Sequence, residues 1–214
     1  ESPPTGANDP HHSMTDRARS LMSAVRDAVS KARRIHADSI DVLLAMLQSS
    51  DGITRRVLTT TPARWQSLTS ALPAELLKRP PKAGEWSALD CLQHLIDTER
   101  GVFPLRIGIF LAGKDAFPAF NPDAEGTPAG EKSPVEMAAE FTRLRQAGLA
   151  ALDRVTPADL GRVARHGELG TVSLGEMIHE WAAHDLMHTV QAERALMQPF
   201  ILDCGTWLKY FLDH

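Results

Sequence analysis

Apolar residues recur every three or four positions along most of this chain, which is the spacing of amphipathic helices. In the front part the pattern predicts helices over 15–36 and 38–50, then a brief one over 53–60. Further along it predicts four longer helices, over 62–78, 88–113, 133–155 and 173–197. No strand pattern of useful length occurs. The sequence therefore predicts an all-α protein whose larger part is an up-down four-helix bundle.

Turn-forming residues mark the ends of the predicted helices. Ser87 and Ser133 stand at predicted N-termini, where a hydroxyl can accept hydrogen bonds from free backbone N–H groups. Pro104 predicts a kink in the second bundle helix. The loop over 114–132 is rich in Gly, Pro and Asp. We expect it, together with the connection over 162–172, to shape the mouth of any pocket.

The chain divides into three parts by composition. Residues 1–13 are polar and rich in turn formers, which predicts a disordered lead or a tag. Residues 14–60 form a separate helical segment, and residues 61–214 form the bundle. The bundle ends in an aromatic tail after Met197, which we expect to pack back on it.

Composition excludes several classes of function. The chain has 214 residues, of which 43% are hydrophobic, and a net charge of −4, so no broad basic surface for nucleic acid is expected. No apolar run is long enough to span a membrane, and no apolar leader is found at the N-terminus. The only two cysteines, Cys91 and Cys204, lie far apart in sequence. This is no disulfide framework and predicts a cytoplasmic protein.

Histidines are concentrated in the stretch "HEWAAHDLMHTVQ" of the last helix. His184 and His188 stand four residues apart, so their rings share one helix face. His179 lies about 140° away around the helix and is expected to point elsewhere. His94 lies in the middle of another bundle helix. A lone histidine there is more often a hydrogen-bonded core residue, but the pair on the last helix favours a shared metal site in the bundle core.

Three neutral imidazoles supply most of the coordination of Zn²⁺ or Ni²⁺ and leave a position open for water or substrate. Histidine ligands usually donate their second ring N–H to a carboxylate or a carbonyl group. Asp97, Glu180 and Asp185 are near enough in sequence to serve, and the sequence does not choose among them. Cys91 lies three residues before His94 and is interpreted as a small buried hydrophobe rather than a ligand.

Two longer stretches carry a family resemblance. "GEWSALDCLQHLIDTERGVFPLRIGIFLAG", followed by "EFTRLRQAGLAALDRVTPADLGRVARHGELGTVSLGEMIHEWAAHDLMHTVQAERALM", resembles the DinB-like superfamily over about 61–200. These proteins are four-helix bundles with one histidine on the second helix and an HxxxH pair on the fourth. The resemblance implies that His94, His184 and His188 bind a divalent metal, zinc or nickel. The better-understood members are thiol-dependent transferases or isomerases, which implies a small-molecule substrate and a low-molecular-weight thiol.

The front of the chain carries a second resemblance. "TDRARSLMSAVRDAVSKARRIHADSIDVLLAMLQSSDGITRRVL" (15–58) resembles one repeat of the Clp ATPase N-terminal domain, which has two repeats and recognises adaptors and substrates of the Clp protease. Ile40 replaces the Glu that this family uses in phosphoarginine recognition, and no Walker motif follows. The resemblance implies docking to a Clp protease component. We favour the alternative of a structural cap on the bundle, or a segment used for homodimer formation.

Two hypotheses follow from the sequence. The first is a metal-dependent DinB-like enzyme, a thiol transferase or a hydrolase, in which the metal lowers the pKa of a bound thiol or water. The second is a non-catalytic binding protein that docks a Clp component through its front segment. The sequence names no general base.

Overall fold

The computed structural model describes residues 50–128 and 130–211, with side chains from residue 52. A compact unit begins at Ile53. Its helices are α1 (Ser50–Ala71), α2 (Ala74–Leu77), α3 (Ala88–Gly101), α4 (Phe103–Leu111), α5 (Pro122–Glu125), α6 (Pro134–Leu152) and α7 (Leu174–Asp203). The predicted lead over 1–13, the helices predicted over 15–36 and 38–50 and most of the Clp-like stretch lie outside the described residues.

The four-helix bundle predicted from the sequence is confirmed. Its members are α1, the pair α3 and α4, α6, and α7, with α3 packed against both α6 and α7. Three of the helices begin with a capping box, in which a serine hydroxyl and a carboxylate three residues later each accept a backbone N–H. The pairs are Ser87 with Asp90, Ser133 with Glu136 and Ser173 with Glu176.

The first bundle helix differs from its prediction. The pattern predicted separate helices over 53–60 and 62–78, whereas α1 continues through Pro62. A proline inside a helix removes the hydrogen bond to the carbonyl group four residues earlier, here that of Leu58. In this structure Arg145 Nη1 donates to the Leu58 carbonyl oxygen at 2.8 Å. The helix therefore continues because a side chain from another helix replaces the missing donor.

The predicted kink near Pro104 is present as a break between α3 and α4. Val102, between them, has φ −121° and ψ −80°, which lies outside the helical region. Pro104 then occupies the first turn of α4, where its missing N–H has no helical partner to lose.

A small sheet of short strands accompanies the helices, and two of its strands lie partly or wholly within the stretch over 166–174, which the sequence predicts to be a turn or a brief extended piece. Strand β1 (Ala116–Phe117) pairs in parallel with β2 (Val163–His166), which pairs antiparallel with β3 (Gly170–Ser173). Gly170 adopts φ +79° at the hairpin turn, a conformation that favours glycine. Strands of two to four residues are too short for an alternating pattern to be recognised, and the partner of β1 lies far away in sequence.

The aromatic tail after Met197 follows its prediction only in part. Its first residues extend α7 to Asp203, with Ile201 buried, and it then forms a 3₁₀ helix over Gly205–Tyr210, where the side chains of Trp207 and Tyr210 are 64% and 62% exposed. Trp207 and Tyr210 contact each other, with ring centroids 6.0 Å apart.

None of the helices in the described ranges is long and apolar enough to cross a lipid bilayer.

Two clusters of buried apolar side chains form the core. One lies between α1, α3 and α6 around Trp65, Leu92 and Phe141, and the other surrounds Phe103 and Trp181. None of the three histidines of interest belongs to either cluster. Phe103 in the second cluster and Trp86, which packs against the first, nevertheless contact these histidines, so the hydrophobic core and the candidate site adjoin each other.

Candidate metal centre

His94 from α3 and His184 and His188 from α7 come together inside the bundle. The Nε2 atoms of His94 and His184 lie 2.9 Å apart. The His188 ring centroid lies 4.6 Å from that of His94 and 4.5 Å from that of His184. One nitrogen from each ring falls within 4.8 Å of the other two. This is the only such group of His, Cys, Asp or Glu side chains among the described residues.

The surroundings of the three rings keep them neutral. Burial, reinforced by the neighbouring imidazoles, lowers the pKa of His94 to about 4 and that of His184 to about 3. Burial also lowers the pKa of His188. Neutral imidazoles carry a free lone pair on one nitrogen, which is the form that binds metal ions. Three converging nitrogen donors of this kind fit Zn²⁺ or Ni²⁺.

Gln191 fixes the tautomer of His188. The His188 Nδ1 atom lies 2.9 Å from Gln191 Oε1, and because an amide oxygen only accepts, Nδ1 carries the proton. The lone pair of His188 is then on Nε2. Sequence reasoning expected a carboxylate or a carbonyl group in this role, but the candidates that it named were all carboxylates, and it missed Gln191. The signal was its position three residues after His188, on the same side of the helix.

The three carboxylates proposed for that role have other surroundings. Asp97 accepts hydrogen bonds from Gln93 and from both the backbone N–H and the hydroxyl of Thr127. Asp185 binds Arg145. Glu180 lies one turn before His184 on the same face of α7. Desolvation raises the pKa of the Glu180 carboxyl group, and the charge of Arg106 opposes that rise.

Aromatic rings enclose the histidines. The indole of Trp86 stacks on His188, with ring centroids 5.6 Å apart, and lies 5.0 Å from His94. Phe103 meets His184 edge to face. Phe120, in the long loop after α4, lies 6.1 Å from His94. The loop over 114–132 thus reaches the site, and its hydrogen bonds from Thr127 to Asp97 anchor it there.

A buried ionic cluster lies behind the ligand-bearing face of α7. Arg145 on α6 is 1% exposed and donates to Glu99 on α3 and to Asp185 on α7 at 2.6–3.0 Å. Trp181 Nε1 donates to the same Glu99 oxygen. Sequence reasoning missed this cluster too. The signal was a charged residue in the apolar stripe of α6, four residues after Phe141.

A cleft of about 1000 Å³ opens beside His188, the one of the three histidines that lines it. His188, Trp86 and Gln191 line its inner end, and Arg194 lies further along α7. A second cavity, of about 590 Å³, lies on the α1 side of the bundle and contains none of the three histidines. The large cleft therefore gives a small molecule access to the histidine cluster.

Two further histidines within the described ranges, and Cys91, lie away from the cluster. His179 Nδ1 is 3.1 Å from the hydroxyl of Thr54, as its angle on the helix predicted. His166 lies in β2 and accepts backbone N–H groups from Glu168 and Leu169. Cys91 is fully buried in the core, and burial raises the pKa of its thiol to about 12. A thiol with so high a pKa is a poor metal ligand at neutral pH.

The sequence model of the DinB superfamily matches residues 57–192, which is more than half of the chain. This chain belongs to the DinB superfamily. The matched range contains α3, α6 and most of α7, and with them all three histidines. No protein in the curated set matches the chain.

A protein of known structure agrees on the fold. YfiT from Bacillus subtilis, described as "a probable metal-dependent hydrolase with an unusual four-helix bundle topology", is similar to this chain with a TM-score of 0.62 and 18% identity. The match covers 71% of this chain and 89% of YfiT. At this level of identity the similarity establishes a shared fold for the DinB protein described here.

Proposed function

We propose that this protein is a metal-dependent DinB-type enzyme in which His94, His184 and His188 hold one zinc or nickel ion. The observation that carries the proposal is the convergence of three neutral imidazoles from two helices beside a cleft. Metal sites in helical bundles are commonly built in this way, from facing helices. The description of YfiT as a probable metal-dependent hydrolase also supports a metal-dependent enzyme.

A three-histidine site leaves coordination positions for a ligand, as catalytic metal sites do. When bound, the ion would supply a Lewis acid that lowers the pKa of water or of a low-molecular-weight thiol. The three imidazoles hold the site together, while Trp86 and Phe103 exclude bulk water from their rings. Glu180 is the remaining candidate for a proton acceptor, because Asp97 and Asp185 are held by Thr127 and Arg145.

The nature of the nucleophile separates the two reactions that we propose. With water as the nucleophile the enzyme is a hydrolase, and with a thiol it is a transferase. Both take a small-molecule substrate through the cleft, and both are consistent with a cytoplasmic enzyme. Docking to a Clp component and homodimer formation stay proposals that depend on residues outside the described ranges.

Metal content tests the proposal directly. Purified full-length protein loaded with zinc or nickel should contain about one ion per chain by elemental analysis. His188→Ala should lose the ion, because two imidazoles rarely hold zinc or nickel alone. His166→Ala is the matched control, since His166 lies in the small sheet, and Glu180→Gln should also keep the ion. Unchanged metal content in His188→Ala would exclude the three-histidine site.

Turnover then separates the reactions. We would compare metal-loaded and chelated protein in ester hydrolysis and in glutathione addition to 1-chloro-2,4-dinitrobenzene. Metal-dependent hydrolysis without thiol supports a hydrolase, and metal-dependent addition supports a transferase. Full metal occupancy without either activity, over a broader set of esters and electrophiles, favours the non-catalytic binding protein.

A further inference from the structure

The large cleft beside the histidines has an apolar wall and an unpaired cation. We propose that it binds a small amphipathic anion, with the apolar body against α7 and Trp86 and the acidic group at Arg194. This inference names the substrate class of the site and rests on the proposed function for its catalytic meaning. The binding itself is defined by the cleft alone.

The wall of the cleft is formed by exposed apolar side chains of α7. Leu186, Met187 and Val190 are 38%, 55% and 51% exposed and lie side by side on the helix. The partly buried indole of Trp86 faces them across the cleft. Contiguous exposed apolar surface beside a candidate catalytic centre is typical of a ligand-binding site. It predicts that the body of the ligand is apolar.

Charge in the cleft favours an anion. Two cations, Lys82 and Arg194, line it together with a single anion, Glu85. Lys82 lies 3.8 Å from Glu85, and both are largely exposed, so these two charges offset each other. The guanidinium of Arg194 has no ion pair within the described ranges and is exposed. It is therefore the free charge of the cleft, and it can bind a carboxylate or a similar group in bidentate geometry.

Helix geometry places this cation at a defined distance from the histidines. His184, Met187, His188, Gln191 and Arg194 lie within about 120° of each other around α7 at 100° per residue. Arg194 follows His188 by six residues, or about 9 Å along the helix axis. A ligand anchored at Arg194 and lying along Met187 therefore brings its other end to His188. The contacts for the two ends of the ligand are therefore offset by about 9 Å along the helix axis.

A matched pair of fluorescent probes tests the proposal on the full-length protein. 8-Anilinonaphthalene-1-sulfonate carries an anionic group on an apolar body, and N-phenyl-1-naphthylamine has the same rings without the charge. Arg194→Gln should weaken binding of the sulfonate about threefold to tenfold, the range of exposed and charge-assisted contacts. It should leave the dissociation constant of the neutral probe unchanged. Arg154→Gln, which removes an exposed arginine outside the cleft, is the control.

A second variant tests the apolar wall. Met187→Ser should weaken binding of both probes, and because Met187 is exposed, the variant should fold normally. Leu169→Ser, at an exposed position in the hairpin, is its control. If wild type and Arg194→Gln bind the sulfonate with equal affinity, the proposal that the ligand is an anion is wrong. If Met187→Ser binds both probes as wild type does, the proposal that the ligand lies in this cleft is wrong.

The metal content of each preparation is measured in parallel. Loss of the Arg194 effect in protein that holds its ion rejects this inference and leaves the proposed function standing. If the protein takes up no metal but still binds the sulfonate in an Arg194-dependent way, the proposed function is rejected and this inference stands. The two proposals can therefore fail independently.

Discussion

The three histidines share a property that a free imidazole lacks, because their rings stay neutral even in mildly acidic solution. Burial lowers the pKa of all three, and the neighbouring imidazoles lower those of His94 and His184 further. His94 and His184 have pKa values of about 4 and 3 against an ordinary value of 6.5. In the metal-free protein these lowered pKa values reduce the free energy of unfolding below neutral pH. The reason is that the unfolded chain then binds more protons at these histidines than the folded chain does.

We therefore predict that the metal-free protein loses stability as the pH falls from about 6.5 toward 4, the interval between the unfolded and folded pKa values. Above 6.5 these rings contribute no pH dependence, because they are neutral in both states. At pH 5 the loss should be on the order of 1 kcal/mol after allowance for solvent screening. Urea unfolding at pH 7.5 and pH 5, compared with His94→Gln, measures it. An equal pH effect in wild type and variant would contradict the prediction.

For single residues, the sequence predicted which histidines lie together but not which side chains form hydrogen bonds with them. The spacing of His184 and His188 and the place of His94 on another helix were sufficient to predict that the three rings meet. The hydrogen-bond partners were not predictable in this way. Asp97 and Asp185 were near in sequence but belong to other contacts, since a partner is chosen by side-chain direction and by competing donors such as Thr127 and Arg145.

At the scale of the helices, Arg145 on α6 forms hydrogen bonds to three other helices. It bonds to Glu99 on α3, to Asp185 on α7 and to the Leu58 carbonyl that Pro62 leaves without a donor on α1. It also lies over the rings of Phe141 and Trp181, one from each apolar cluster. A single buried cation thus connects the three neighbouring helices. It also donates a hydrogen bond to the carbonyl group that has lost its helical donor in one of them.

Arg145→Met should destabilise the protein by about 3–5 kcal/mol, because it leaves two carboxylates and a carbonyl oxygen buried without their donor. Arg143→Met is the control on the same helix. Arg143 is exposed, and its replacement should change stability by about 0.5 kcal/mol or less. The free energy of unfolding from urea titration measures both. A loss below about 1 kcal/mol for Arg145→Met would show that the cluster contributes little to the fold.

Helix boundaries were predictable where the signal is local. Capping serines and Pro104 act within one turn, so the starts of α3, α6 and α7 and the break before α4 were predicted. The continuity of α1 through Pro62 depends on Arg145, which lies 87 residues after Leu58. The pairing of β1 with β2 is likewise a contact between distant segments. Periodicity carries no information about either.

For the whole molecule, the extent of the apolar core predicts how metal removal acts. The apolar clusters contain none of the three histidines. Chelation with EDTA should therefore leave the helical circular dichroism at 25 °C unchanged. It should lower the melting temperature by about 5–15 °C, since a ligand at 100 to 1000 times its Kd adds about 3–4 kcal/mol. Loss of helix at 25 °C would show that the ion is required for folding, as in small zinc domains.

The beginning of the bundle gives the last prediction. The sequence predicts that it lies near residue 61. In the structure Leu58, which belongs to α1 (Ser50–Ala71), is fully buried in the core. A 61–214 fragment loses the Leu58 side chain, which is worth about 2–5 kcal/mol, and the carbonyl that binds Arg145. A 50–214 fragment keeps both. We expect the longer fragment to unfold at a clearly higher urea concentration and to remain monodisperse in size-exclusion chromatography. Equal stability of the two fragments would show that the first turns of α1 contribute nothing to the bundle.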